Sequence, residues 1–392
     1  MRTETDRKTV ILWLIRMMAV CIATCCMFAG RSMDSKAEET VPEIDGLEYE
    51  SSMDLMYAEC FDVYFYSGGY ALIDIYDSSR YLVVPENEEV PEHLDSDIVV
   101  LQKPLDNIYL AATSAMALFD ALDSLDNIRL TGTDVSGWYI ENAVTAMENG
   151  DILFAGKYSE PDYELMISEA CDLAIESTMI LHSPKVKEMI EMLGIPVFVD
   201  YSSYESHPLG RTEWVKLYGV LTDKIVEAAA FFDEQAQVIE DLKDFPNTEK
   251  KVAFFYVNMN GSVVVRKSSD YIPRMIEIAG GRYVSDTLIT DDEDENRKSS
   301  MELTMEEFYA QAVDADYLIY NSSIDSPLNS LDDLLAKSEL FADFRAVKEG
   351  NVWCTGKYLY QATDIVGKLI TDIHLMLTGD DGSGMTFLYK IM

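Results

Sequence analysis

The sequence predicts an α/β chain of two Rossmann-like lobes, each on a central, mainly parallel sheet, joined by one long inter-lobe helix. Three observations carry that prediction. Short β-branched and apolar runs alternate with helical stretches from Asn107 to Asp200. The same alternation returns from Lys251 to Leu377. Such alternation favours parallel sheets with helices on both faces. Between the two blocks, Tyr204 to Phe245 has helical periodicity and no strand signal.

That middle stretch opens with a polar, aromatic-rich turn, Tyr204 to Trp214, containing Pro208 and Gly210. Proline disfavours helix at His207, and Gly210 permits tight backbone geometry. A short helix is expected from about Arg211 to Val220, and Thr222 is placed to cap a longer one from Asp223 to about Asp244. On the longer helix Ile225, Ala229, Phe232, Ala236, Ile239 and Leu242 recur every three or four residues as one apolar stripe. At about 1.5 Å per residue it would run roughly 33 Å, enough to tie two lobes together as a rigid strut. A single crossing predicts little hinge motion and a largely preformed cleft.

Taken in order, residues 1–30 read as a signal segment. Arg2, Arg7 and Lys8 precede an apolar run from Val10 to Gly30 that is broken by Arg16, a layout too short and interrupted for a membrane span. Ile22-Ala23-Thr24-Cys25 is a lipidation context; Arg31 stands where Phe28-Ala29-Gly30 would lead to a lipid-bearing cysteine, and Ser35-Lys36-Ala37 suits a non-lipid peptidase. Residues 31–54 read as an acidic tether and 55–209 as the N-terminal lobe. Within that lobe, 58–102 form an extra β region with a hairpin at Ser67-Gly68-Gly69. Residues 210–246 are the inter-lobe helical segment and 247–392 the C-terminal lobe. Strands are expected at Ile98–Gln102, Ile108–Ala112, Ile128–Thr131, Leu173–Glu176, Pro196–Asp200, Lys251–Val257, Val263–Arg266, Tyr317–Tyr320 and Asn351–Thr355. Helices are expected at Thr113–Leu122, Trp138–Glu148, Tyr163–Ala170, Pro184–Leu193, Tyr271–Ala279, Met305–Ala312, Leu328–Lys337 and Ile365–Leu377.

Composition narrows the function. The chain carries 30 Lys and Arg against 70 Asp and Glu, a net charge of −40, which excludes phosphate-neutralising contact with nucleic acid. Hydrophobic residues make up 48%, enough for globular cores. Outside the leader only Cys60, Cys171 and Cys354 remain, too far apart for a metal or disulfide framework. No GxSxG, HExxH, phosphate loop or CxxC is present, and the four histidines are scattered, so no enzyme is predicted. A secreted hydrolase on a two-lobed scaffold and a surface adhesin or sensor are the competing readings. The default binding site of such an architecture is the cleft between lobes.

Several stretches then resemble one family. Tyr158-Ser159-Glu160-Pro161-Asp162-Tyr163-Glu164 leads into Cys171-Asp172-Leu173-Ala174-Ile175, and Thr304-Met305-Glu306 precedes Ala315-Asp316-Tyr317-Leu318-Ile319. With the Tyr204–Trp214 turn, their order is similar to that of ABC-transporter solute-binding proteins for ferric siderophores, haem and cobalamin. Cys171 stands where the family's strand motif has proline. The resemblance covers most of the chain from Asn107 to Leu377 and leaves the 58–102 region outside it.

The resemblance implies a monomer exported to the outer side of the cytoplasmic membrane. It would capture a small-molecule metal chelate, a ferric siderophore first, and deliver it to an ABC permease. It implies permease docking through Glu164 and Glu306, one exposed carboxylate per lobe. It implies no resident cofactor or metal, the ligand itself being an iron chelate, haem or corrinoid. The cleft would be lined by strand-end turns: Thr113, Ser114 and Met116; Trp138 and Tyr139; Tyr158; Tyr204, His207 and Arg211. From the second lobe come Asn258, Arg266, Tyr271, Asn321, Tyr358, Tyr360 and Gln361. Aromatics offer flat apolar area with a polar tip, and arginine binds carboxylate or catecholate oxygens through charge-assisted bonds. His207 or a tyrosine would serve haem as axial ligand.

Overall fold

The structure is a computed structural model that describes residues 41–76, 78–243, 247–285 and 299–392. Residues 44–392 hold together as one unit. The predicted signal segment lies outside the described residues, as does the tether up to residue 40.

The extra β region is a five-stranded sheet in the order β1 (Tyr49–Ser52), β2 (Phe61–Tyr66), β3 (Tyr70–Ile75), β4 (Arg80–Val84) and β5 (Ile98–Gln102). β1 occupies residues read from the sequence as tether; its side chains are exposed, so it has no amphipathic pattern, and its pairing with β2 makes it a strand. The expected hairpin joins β2 and β3 through Ser67–Gly69, where Gly68 and Gly69 take φ of 80° and 85°. These left-handed values suit glycine. One face of this sheet, with Phe61, Val63, Ile73, Ile75 and Val83, joins the main core.

The first lobe carries five parallel strands in the order β10-β9-β6-β7-β8. They are β6 (Ile108–Leu110), β7 (Ile128–Thr131), β8 (Leu153–Phe154), β9 (Leu173–Ser177) and β10 (Val197–Asp200). Its helices are α1 (Thr113–Ala121), α2 (Glu141–Asn149), α3 (Tyr163–Ser168) and α4 (Pro184–Met192). Trp138 falls before α2 rather than inside it.

Two helices connect the lobes, α5 (Pro208–Leu221) and α6 (Ile225–Leu242). Here the strut departs from the expected rod. Asp223 turns the chain with φ 59°, and α6 folds back along α5, with Gly219 against Ala228 and the Lys216 ammonium 4.4 Å from the Phe232 ring. Thr222 does not cap α6; its hydroxyl donates to the Tyr218 carbonyl at 2.9 Å. All 14 residues of α5 are buried. A helix buried on every side belongs inside a core, and α5 does: Trp214, Leu217 and Tyr218 lie in one cluster that runs from the N-terminal sheet to the second lobe.

The second lobe is a mixed sheet, ordered β14-β12-β11-β15-β16-β17 with β13 also on β11. Its strands are β11 (Lys251–Val257), β12 (Val263–Arg266), β13 (Arg282–Tyr283), β14 (Ser300–Leu303), β15 (Tyr317–Tyr320), β16 (Val352–Thr355) and β17 (Leu388–Lys390). β13, β11, β15 and β16 pair in parallel; β12 pairs antiparallel with both β11 and β14, and β17 antiparallel with β16. The helices are α7 (Tyr271–Ile278), α8 (Met305–Ala312), α9 (Leu331–Lys337), α10 (Arg345–Lys348) and α11 (Val366–Thr378). Met275, Leu369, Ile370 and Ile373, from α7 and α11, meet the cluster around α5.

Candidate functional site

Five of the residues singled out in the sequence converge where α5 meets the second lobe. Arg211 lies one turn into α5, is only 7% exposed, and stacks its guanidinium 4.1 Å from the centre of the Tyr271 ring. Tyr271 begins α7, which Asp270 caps by accepting from the Ile272 N–H at 3.0 Å. Arg266, at the end of β12, sits 5.9 Å from the Tyr271 ring and 5.4 Å from the Tyr360 ring. Its Nε is 3.3 Å from Oδ1 of the buried Asp270, and it donates to the Ser299 hydroxyl at 3.2 Å. The Tyr360 hydroxyl accepts from Asn321 Nδ2 at 2.7 Å.

The electrostatics of this cluster are uneven. Arg266 has Asp270 as counter-ion. Among the described residues the Arg211 guanidinium makes no hydrogen bond or ion pair; the charges of Asp200 and Asp270 reach it only at longer range. Burial raises both of those acids above the usual carboxylate range, against the pull of their hydrogen bonds and of the arginines. A guanidinium stacked on a ring without an acceptor keeps its N–H donors available to an anionic group.

Arg266, Asn321 and Tyr360, with Phe254, Tyr256 and Ile324, line a cavity of about 130 Å³. A neighbouring gap against Arg211, Tyr271 and Tyr360 holds only about 10 Å³. Across the segment that carries Tyr360 and Ala362 lies a third cavity of about 260 Å³, lined by Asp120, Tyr139, Glu141, Tyr358, Gln361 and Asp364. Burial, with the charge of Asp120, pushes Asp364 up to about 6. Each cavity is smaller than the pockets of about 300–1,000 Å³ that drug-sized ligands occupy. The lobes are latched beside them: Gln361 accepts from the Tyr139 N–H at 2.9 Å and donates to the Gly137 carbonyl at 2.7 Å.

The remaining candidates are placed elsewhere. Met116 and Trp138, expected in the cleft, are packed into the main core, because the apolar side chains that suit a ligand suit a core equally; the Trp138 indole donates to Thr133 O at 3.2 Å. His207 faces the N-terminal segment: its Nδ1 accepts from the Leu209 N–H at 3.2 Å, capping α5, and its ring stacks on Tyr57 at 4.3 Å. Burial, then the charge of Arg274, pushes it down to about 4. Asn258 is occupied by its own turn, accepting from Asn260 and Ser262 N–H at 3.0 and 3.1 Å. Tyr204 is 48% exposed beside Tyr201, while Ser114 and Tyr158 are half-buried. Tyr358 packs on Phe387 and donates its hydroxyl to Thr386 O.

Glu164 and Glu306 occupy matching places. Both are exposed in the first turn of a helix, α3 capped by Asp162 and α8 capped by Thr304 in a capping box with Glu307. Each helix runs into a parallel strand, β9 or β15. Sequence reasoning missed Asp270, the buried counter-ion of the cluster, although an aspartate directly before a helical run is a cap signal that would have marked it.

No family model matches the chain. An uncharacterized lipoprotein of Methanocaldococcus jannaschii is 26% identical over 318 residues, covering 76% of this chain and 70% of the relative. A periplasmic haem-binding protein of Vibrio cholerae matches with a TM-score of 0.56 and 17% identity, over 69% of this chain and 98% of that one. A structure from Saccharomonospora viridis, described as an ABC-type Fe3+-hydroxamate transport system, matches with a TM-score of 0.51 and 18% identity, over 70% of this chain and 93% of that one. The chain thus has the two-lobed α/β fold of periplasmic binding proteins, as its sequence resemblance implied.

Proposed function

We propose that the protein is an exported solute-binding protein of an ABC importer, which captures an anionic ferric chelate at the Arg211–Arg266 cluster and delivers it to a membrane permease. The observation that carries this reading is the Arg211 guanidinium, stacked on Tyr271 with no acceptor among the described residues. An anionic oxygen between two arginines and two tyrosine rings would supply the missing charge-assisted bonds. Export is supported by the lipoprotein name of the methanogen relative and by the periplasmic neighbours. The protein binds without turnover, as a single chain, and Glu164 and Glu306 contact the permease.

Haem is the second reading, favoured by the two tyrosines beside the arginines, since a phenolate serves as an axial ligand and the arginines would take the propionates. The His207 ring stacks on Tyr57 instead, which leaves the tyrosines as the proposed axial ligands.

A thermal-shift screen of the purified protein against anionic and neutral ferric chelates, haem and cobalamin tests both. Binding at about 100 times Kd adds about 2.7 kcal/mol and raises Tm by a few degrees. Carboxylate- or catecholate-bearing ferric chelates should give that rise, and Arg211→Ala should remove it. Stabilisation by haem with an intense visible band moves the second reading to first place. Equal stabilisation by a neutral ferric chelate in both proteins, or silence across the panel, refutes the anionic site.

A further inference from the structure

We infer that the N-terminal sheet is a brace on the joint between the lobes, seated by Glu205, Gly210 and Glu213. The segment Asp54–Cys60, which leads into β2, lies along α5 as a strap held by its backbone. Glu213, with no exposed surface, accepts from the N–H groups of Met56, Tyr57 and Ala58 at 2.8, 2.7 and 2.8 Å. Glu205, 2% exposed, accepts from Glu59 and Cys60 N–H at 2.8 and 3.1 Å and from the Trp214 indole at 2.9 Å. Lys216 completes the seat, donating to Glu213 at 2.8 Å and to the Asp54 carbonyl at 2.9 Å. The strap lies so close that a Cβ on Gly210 would stand 2.9 Å from the Tyr57 carbonyl oxygen.

Two buried carboxylates satisfied mainly by main-chain donors make the strap hard to lift, because lifting it leaves both charges without partners. The strap also touches the second connecting helix: Tyr57 stacks on His207 of the α5 cap and lies 6.3 Å from Phe232 of α6. The α5–α6 hairpin is thus pinned at both ends, by Gly219 against Ala228 at its turn and by Tyr57 at its open end. Farther along, Phe61 packs edge-on against Trp214 at 5.0 Å. Tyr81 anchors the sheet to the first lobe, donating to Val197 O at 3.1 Å and accepting from Val199 N–H at 3.3 Å, on β10 at the edge of the lobe's sheet. The brace therefore ties one lobe's edge strand to both helices of the joint. Rotation of the first lobe against the α5–α6 joint must break it.

The test needs no ligand. Spin labels on a ketone-bearing residue placed at positions 148 and 332, both exposed helix positions in different lobes, report the inter-lobe distance distribution in the full-length protein. Gly210→Ala drives the strap off α5 without weakening the helix, since alanine is the better helix former; Glu213→Gln removes charge from the seat and serves if the first variant folds poorly. Hydrogen exchange of the Met56–Cys60 amides should accelerate at least tenfold in either variant, and the distance distribution should broaden by several ångströms. Faster exchange with an unchanged distribution overturns the brace. Unchanged exchange in both variants overturns the seat.

Discussion

Glu176 sets a pH signature that can be read from stability alone. It lies on β9 with no exposed surface, and neither carboxylate oxygen has a hydrogen-bond partner. Burial alone pushes it up to about 8 from 4.5, and its titratable neighbours are the uncharged Tyr109 and Tyr163. The folded state keeps a proton that the unfolded chain releases near pH 4.5, so stability is fully present below that pH and falls as pH rises toward 8. One proton is worth about 1.4 kcal/mol per pH unit, so the loss at pH 7 comes to roughly 3 kcal/mol. Glu176→Gln keeps the size and the unpaired polar end but does not titrate. Urea unfolding of both proteins from pH 5 to 7.5, followed by far-UV circular dichroism, should show the variant gaining about 3 kcal/mol relative to the parent across that range. Every other titrating group, His207 and Asp364 included, cancels in the difference. Parallel curves would refute the reasoning, because they would mean that Glu176 is ionised and has found a counter-charge.

Gln361→Ala removes two inter-lobe hydrogen bonds, each worth about 0.5–1.5 kcal/mol net. Opening of the latch should become roughly five- to a hundredfold more frequent, read as faster exchange of the Tyr139 amide that donates to it; an unchanged rate would assign that amide another acceptor. Replacing both Glu164 and Glu306 with alanine should abolish transport into cells while leaving chelate affinity intact. Loss of affinity in step with transport would place these carboxylates in ligand binding instead.

The sequence makes the parallel cores legible for a physical reason. Strands buried on both faces, such as β9, β11 and β15, are continuous apolar runs flanked by helical periodicity. β8, with two residues, and β14 and β17, with mixed burial, offer no such pattern and were not foreseen. The site was half legible. Arg211, Arg266, Tyr271 and Tyr360 stand out by chemistry, yet nothing in their spacing says that they meet, because the meeting is made by α5, β12, α7 and a turn from distant parts of the chain. The Tyr204–Trp214 turn was legible as special, but one of its partners was not. Glu205 and Glu213 bind backbone amides 145 to 157 residues away, and a backbone amide leaves no signature in sequence.

The net charge of −40 and the buried arginines are compatible because they act over different distances. At physiological ionic strength the Debye length is about 8 Å, so exposed carboxylates are screened from a ligand until it is close. Arg211 and Arg266 lie beneath the surface, where water is largely excluded and a charge–charge contact is correspondingly stronger. An acidic surface would therefore slow the approach of the proposed anionic chelate only weakly, leaving the local cluster to decide whether it stays. The same reasoning explains why Arg266 carries a counter-ion and Arg211 does not. Asp270 compensates one positive charge of the cluster, and under the proposed function the uncompensated second is the one left for an anionic ligand.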